Sequence, residues 1–521
     1  MGEAVPGVLT PLNWTFWGES SEHALRRAFV SFGALEAGLT GVPTQPHQRI
    51  MGVFRGRLAA KVGFLGAMGD RLPGTTGAAV AEQFLGTLPD DFVSENTVKR
   101  LPMIAARLPV TAVRAPRNIR RLTTQTGQWW SAAVRRSLSL AGARARFAEC
   151  LRRFDDCMTA HIQCVFAAVQ PLYDQVQRLA AAVGDPSLAD RVLTGQGMHA
   201  EMEMVNDIWE MSRDRLDLVA FLRKHGYHGP HEGEISSYVW RENPEPLQRV
   251  IETYAQRPES ESPTSVVEKR SEQRRLAEQE LLGQLSGARR RAARIILKLA
   301  ADNVPLRGVG KIAYLQVLDV ARASARRIGV ELAETGILES PDDVAFLTAT
   351  ELLTVSEPRR DVVAARRVKH REHLSIALPT SWFGRPAVIP VSTAESERKG
   401  LIVRGIGACG GVVEGRARVV LDPTFGDVEE AEILIAPFTD PSWASVMFTS
   451  SALVVDIGGL LSHAAVVARE LGVPCVMGTG DGTRRIATGD WCRVDGGAGT
   501  LEILRPIEDF DANREWTGPR R

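Results

Sequence analysis

Cysteine is scarce in this chain. Six cysteines in 521 residues are too few for a disulfide framework. Cys150, Cys157 and Cys164 recur every seven residues within a helical pattern. Metal-binding cysteines come in close pairs, so a shared buried helix face is their expected role. Long apolar runs are missing as well: no uninterrupted stretch of about eighteen apolar residues occurs, which excludes a predicted transmembrane helix. The start, MGEAVPGVLT, lacks the basic residues and apolar stretch of a signal peptide, so a cytoplasmic location is expected. Charge of one sign is also lacking. Lys and Arg number 63 against 62 Asp and Glu, a net charge of +1. That balance argues against bulk electrostatic binding to nucleic acid or to an anionic membrane. No Walker-type G-x-x-x-x-G-K-[ST] loop is present.

What remains is an ordinary globular composition, 44% hydrophobic and 24% charged, in a chain long enough for about two to four domains. From about residue 20 to 375 the pattern is helical. Ser21–Gly38 opens on a cap residue and closes on glycine, which predicts a helix between them. Trp129–Gly184 keeps apolar residues at three- and four-residue spacing, with Pro171 expected to kink or break it. Ser265–Asn303 is a long amphipathic stretch rich in Arg and Glu. Its charges read as a solvated helix face with i, i+4 pairs, the other reading being phosphate binding by some of the arginines. Near residue 380 the texture changes. Residues 381–400 hold Pro, Gly, Ser and charge without helical period and read as a hinge linker. Short β-type runs punctuated by Gly and Asp follow, predicting a separate α/β domain over residues 401–507 and a loose tail at 508–521. The expected fold is therefore α+β and multidomain: a large all-helical N-terminal domain over residues 1–380, the linker, and a C-terminal α/β domain.

The chemistry concentrates in ALVVDIGGLLSHAAVVARELGVPCVMG. Ala452–Ile457 reads as a buried strand. Gly458 and Gly459 permit a tight turn and close backbone approach. Ser462 is an N-cap candidate and His463 the first helical residue. Gly472 ends the helix and Pro474 prevents its continuation. An imidazole at a helix N-terminus is disfavoured as imidazolium and so stays nucleophilic. A negative charge placed on it meets unsatisfied backbone N–H groups. Both properties suit a phosphoryl carrier.

The pattern G-G-x-x-S-H-A-A-x-x-A-R-E-x-G-x-P, with GVVEGRARVV before it, ILIAPFTDPSW beside it and GDWCRVDGGAGTLEIL after it, resembles the swivelling phosphohistidine domain of the phosphoenolpyruvate-utilising enzymes. That family includes phosphoenolpyruvate synthase, pyruvate phosphate dikinase and rifampicin phosphotransferase. The resemblance implies that His463 accepts and donates a phosphoryl group, that Ser462 and Gly459 stand directly beside it, and that Gly458 and Arg469 help to hold phosphate. Pyruvate phosphate dikinase carries a regulatory Thr directly before its Ser-His pair; here that position is Leu461, so that regulation is not expected.

The first 380 residues resemble the helical substrate-binding part of rifampicin phosphotransferase, through PLNWTFWG, FRGRLAAKVGFLGAMGDRLPG, GYHGPHEGEISSYVWRENPEPL and RRIGVELAETGILESPDDVAFLTATEL. Two departures fall where a substrate or its phosphate would lie. The family's His-Arg before Gly-Pro is Tyr227-His228, and an Asn after the Gly-Arg turn is Lys61, so an acceptor other than a rifamycin is expected. Lys61 and Arg57 are candidate phosphate or substrate contacts. HGYHGPHEGE matches no recognised metal-ligand spacing, and Gly229-Pro230 interrupts any helix that would align its histidines. No metal is expected there; a polar loop facing the cleft is, with His228 or Glu232 as the general base for an acceptor hydroxyl. Trp14, Trp17, Trp129 and Trp130 suit either an apolar substrate pocket or, as the commoner role, core packing.

The helical resemblance begins near residue 10, so the ATP-grasp domain of the family is expected to be separate from this chain. The expectation is a phosphotransferase-type enzyme in which His463 carries phosphate from a separate ATP-grasp subunit to a small-molecule substrate. ATP and Mg2+ would be needed only through that partner, with no cofactor bound by this chain. One alternative is a nucleotide-independent dehydratase, lyase or cyclase with unphosphorylated His463 as acid or base. Another is a non-catalytic carrier or scaffold.

Overall fold

A computed structural model describes residue 5 and residues 7–507, apart from 86–87, 90, 137, 186, 194–198, 380, 391–399, 422–431, 440–442 and 460–461. The chain divides into two units, residues 1–391 and 392–521. Residues 391–399 of the expected hinge, residues 440–442, Leu461 and the expected tail from residue 508 lie outside the described residues.

The first unit is built from helices. In chain order they are α1 (Pro11–Ser31), α2 (Val62–Gly69), α3 (Gly77–Leu85), α4 (Leu101–Ala133), α5 (Leu140–Cys164), α6 (Gln170–Ala182), α7 (Ser187–Leu193), α8 (His199–Met211), α9 (Leu218–His225), α10 (Glu245–Ala255), α11 (Pro263–Gly283), α12 (Gly287–Asn303), α13 (Leu306–Glu334), α14 (Ala349–Thr354) and α15 (Arg360–Leu374). Two short hairpins accompany them: β1 (Met51–Phe54) with β2 (Arg57–Ala60), and β3 (Ile376–Ala377) with β4 (Ile389–Pro390). Of the residues that the sequence assigns to the linker, 389–390 form the second strand of that hairpin and 381–388 belong to its connection, within the helical unit.

α1, α4 and α13 pack around α5 and one another to form the core. Phe16, Trp17, Phe147, Phe154, Leu315 and Leu318 are fully buried or nearly so. Cys150, Cys157 and Cys164 lie buried along α5, as their heptad spacing requires.

Three local expectations are corrected. α1 starts ten residues before Ser21, because Pro11 occupies the first helical turn and the Thr10 side chain caps it, accepting from the Asn13 N–H. It ends at Ser31, well before Gly38, at Gly33 with φ +83°. Added bulk at Gly33 would stand 2.7 Å from the Met103 carbonyl, so only glycine fits where α4 crosses. Pro171 does not break its helix: the chain widens into a π-helical turn at Val165–Val169 and continues as α6. The wider turn absorbs the missing proline N–H and ring. The Ser265–Asn303 stretch is two helices, divided between Gly283 and Gly287. On α11 the pairs Arg275–Glu272 and Arg274–Glu278 support the solvated-face reading of these charges.

Among its described residues the second unit is a mixed sheet with three helices: β5 (Ile402–Arg404), β6 (Ile406–Cys409), β7 (Val412–Val419), β8 (Ile433–Ala436), α16 (Ala444–Thr449), β9 (Ala452–Val455), α17 (His463–Leu471), β10 (Cys475–Met477), α18 (Gly482–Arg485), β11 (Trp491–Asp495) and β12 (Thr500–Arg505). The strand order is β5-β12-β11-β7-β8-β9-β10-β6. β7, β8, β9 and β10 run parallel, and the remaining pairs are antiparallel. β8, β9 and β10 are buried at every position, the pattern of parallel strands covered on both faces. β5 and β6 are consecutive segments broken at Gly405, so one run of chain forms both ends of the sheet and leaves little open edge.

Candidate functional site

In the second unit β9 delivers the chain to a glycine turn and then to α17. Gly458 sits at φ +143°, a conformation that favours glycine. The Asp456 carboxylate, just upstream, accepts from the Thr479 hydroxyl at 2.6 Å and from the backbone N–H and hydroxyl of Thr483. That carboxylate ties the end of β9 to the segment after β10. Ser462 is the N-cap of α17, its hydroxyl accepting from the Ala465 N–H at 3.2 Å. His463 is the first helical residue and is half-buried. Its Nδ1 lies 3.3 Å from the hydroxyl of Thr439, in the loop after β8. Gly472 closes the helix at φ +66°.

Ser462, His463, Gly458 and Gly459 thus stand together at one end of α17. Arg469 does not. It is buried near the C-terminal end of the helix, six residues on, a rise of about 9 Å. Thr439 was missed from the sequence, although the quoted ILIAPFTDPSW segment contains it; what was missing was the fold that brings the end of β8 beside the start of α17.

A second cluster occupies the helical unit, in the loop between α9 and α10. His228 Nδ1 and a Glu232 carboxylate oxygen lie 2.8 Å apart, both side chains buried. Lys311 of α13 brings its ammonium within 3.5 Å of the other carboxylate oxygen. Burial pushes the Glu232 carboxyl up to about 7 against the opposing pull of Lys311 and Arg322. His225 pairs with Asp207 at 2.7 Å, yet burial outweighs that partner and lowers its imidazole to about 4.

The loop is clamped from several sides. The Trp17 indole N–H donates to the Gly233 carbonyl at 2.9 Å. Arg322 donates to the carbonyls of Glu232 and Glu234. The Asn13 side-chain oxygen accepts from the Ile235 N–H. Beneath it, the buried Asp319 carboxylate accepts from Arg241 and from the Trp130 indole N–H, each at 2.7 Å. The Tyr227 ring lies between the rings of His228, at 4.3 Å, and Trp130, at 5.3 Å. Trp17 and Trp130 are therefore core residues that hold the loop. Trp14 and Trp129 are partly buried against that core, Trp129 beneath the Arg153 guanidinium.

Arg57 opens β2 of the first hairpin, and Lys61, just past β2, is the N-cap residue of α2. Arg57 donates to the carbonyls of His373 and Ile376, and Lys61 donates to that of His47. These bonds tie β2 to the end of α15 and Lys61 to the segment before β1. Among the described residues no group of three or more His, Cys, Asp or Glu side chains is arranged to hold a metal ion, and no helix is long and apolar enough to cross a membrane.

Residues 428–499 match the family model of the mobile domain of PEP-utilising enzymes. Over that span the C-terminal unit is similar to the mobile domain of the phosphoenolpyruvate-utilising enzymes. Residues 175–308, from α6 to α13, match the model of the rifampicin phosphotransferase fourth domain. An uncharacterized protein of Mycobacterium tuberculosis is 32% identical over 329 residues, covering 63% of this chain and 35% of the relative. Rifampicin phosphotransferase of Streptomyces sviceus is 30% identical over 301 residues, covering 56% of this chain and 34% of the relative. That of Bacillus subtilis is 28% identical over 308 residues, covering 56% and 35%. The aligned part thus spans about a third of the length of these relatives. Within the mobile domain, the match takes in His463, its cap Ser462 and its neighbour Thr439.

Proposed function

We propose that this chain carries and delivers phosphate in a phosphotransferase reaction. His463 of the mobile domain receives a phosphoryl group derived from ATP, supplied by an ATP-grasp protein in trans, and the helical unit holds a small organic acceptor. ATP and Mg2+ belong to that partner in this reading.

The observation that carries the proposal is His463 at the capped N-terminus of α17 with Thr439 at its Nδ1. When Nδ1–H donates to the Thr439 hydroxyl, the Nε2 lone pair is the nucleophile toward phosphorus. The negative charge gained by the ring then lies at the positive end of α17. In the second transfer the N–P bond breaks as an acceptor hydroxyl attacks phosphorus, and the hydroxyl proton needs a base. Glu232, held near 7 by burial and bonded to His228, is matched to that task at neutral pH. Lys311 beside it supplies positive charge for the transferring group.

The test is incubation with labelled ATP, with and without extract of the producing cell. Label on the wild-type chain that requires extract, and that is absent from His463→Ala, is the expected result. Equal labelling of His463→Ala rejects the reading. Turnover of a substrate by the purified chain without nucleotide would replace it with acid–base chemistry at an unphosphorylated His463.

A further inference from the structure

Two of the six cysteines face each other across the mobile-domain sheet. β6 and β10 pair antiparallel, and Cys409 is the direct partner of Cys475, with a bulge on the β6 side between this pair and the next. Directly opposed residues of such a pair project to the same face with Cα atoms about 4.5–5.5 Å apart, inside the separation of about 4.4–6.8 Å that a disulfide spans. The two thiols differ in access. Cys475 is fully buried. Cys409 is only half-buried, and its sulfur contacts the Gly410 carbonyl on the exposed side. α17, which begins at His463, packs on both strands.

We infer that Cys409 and Cys475 form a dithiol modification site that a low-molecular-weight disulfide closes into a cross-strand disulfide beneath the His463 helix. The Cys409 thiolate attacks the small disulfide, forming a mixed disulfide and releasing one small thiolate. The Cys475 thiolate then attacks the Cys409 sulfur, forming the intramolecular bond and releasing the second. The protein loses two electrons and two protons, and the small disulfide is reduced to two thiols. Order follows from access: the outer sulfur meets the reagent and the buried one resolves the adduct. Burial, and then the neighbouring Cys409, push the Cys475 thiol up, while Arg469 pulls it down. Few Cys475 thiolates exist at neutral pH, so closure is slow there and quickens as pH rises. Once formed, the bond staples two strands under α17.

The experiment uses the reduced full chain with oxidised glutathione, followed by acid quenching, alkylation and peptide mapping by mass spectrometry. The expected result is a linked pair of peptides bearing Cys409 and Cys475, with the other four of the six cysteines still alkylated. Closure is faster at higher pH. Cys475→Ser stops at a stable glutathione adduct on Cys409, and Cys409→Ser takes up nothing at position 475. A lasting glutathione adduct on Cys409 in the wild-type chain, or no reaction at Cys409 at all, overturns the inference. If the serine at 475 prevents folding, Cys475→Ala serves, and the wild-type map decides alone.

Discussion

The Glu232 carboxylate lies 2.8 Å from the Nδ1 of His228, and neither side chain is more than 6% exposed. Both members of this pair in the loop between α9 and α10 are withdrawn from water. Burial raises Glu232 from 4.5 to about 7. The folded protein therefore keeps a proton that the unfolded chain has released. Stability from this group is fully present below about 4.5 and is lost as pH rises through about 7. Urea unfolding at a series of pH values should show stability falling across that window in the wild type, and a flatter profile in Glu232→Gln. A profile unchanged by the substitution would show that the carboxyl titrates normally.

Activity should follow the same group in the opposite direction. A general base works deprotonated, so transfer to an acceptor should rise with pH through about 7. Glu232→Gln should lose that rise and about 100-fold or more in kcat, while the label on His463 forms as before. Equal loss of labelling would place Glu232 outside the second transfer.

Asp319 is fully buried and gathers Arg241, Arg322 and the Trp130 indole. Asp319→Ala removes the carboxylate shared by two guanidinium groups, Arg322 with no exposure at all, and leaves them the carbonyls of Glu232 and Glu234 and the Glu242 carboxylate. Breaking a buried pair from one side costs about 3–5 kcal/mol. Denaturant midpoints should fall accordingly, and a loss below about 1 kcal/mol would mean that water or another carboxylate compensates.

At the other site, Ser462→Ala removes the N-cap of α17, a loss of about 1 kcal/mol. Hydrogen exchange should accelerate in the first turn of α17 before it does in β9. Thr439→Val removes the oxygen at His463 Nδ1. A hydrogen bond of about 1 kcal/mol corresponds to roughly five- to tenfold slower labelling of His463, with unfolding unchanged. Thr439→Ser should restore the rate.

The α17 site was legible because its parts are contiguous. Ser462 caps, His463 follows, and Gly472 and Pro474 stop the helix within one short stretch of sequence. Local backbone rules act over such distances, and the predicted strand–turn–helix–strand order is the order observed. The helical unit was legible as helices, and its failures were of extent: α1 starts early because Pro11 and Thr10 form a better beginning than Ser21, and the chain passes Pro171 by widening a turn between α5 and α6.

Nothing local joins Thr439 to His463, Lys311 to Glu232, or Cys409 to Cys475. Composition and order along the chain determined a helical unit, a separate sheet unit and a histidine at a helix start. Only the tertiary structure decided which oxygen meets that histidine and that Glu232 is buried deeply enough to hold its proton near neutrality. It also decided that two distant cysteines oppose each other. The physical reason is that desolvation and cross-strand register arise from packing between segments remote in sequence, whereas caps and turns arise from neighbours within a few residues.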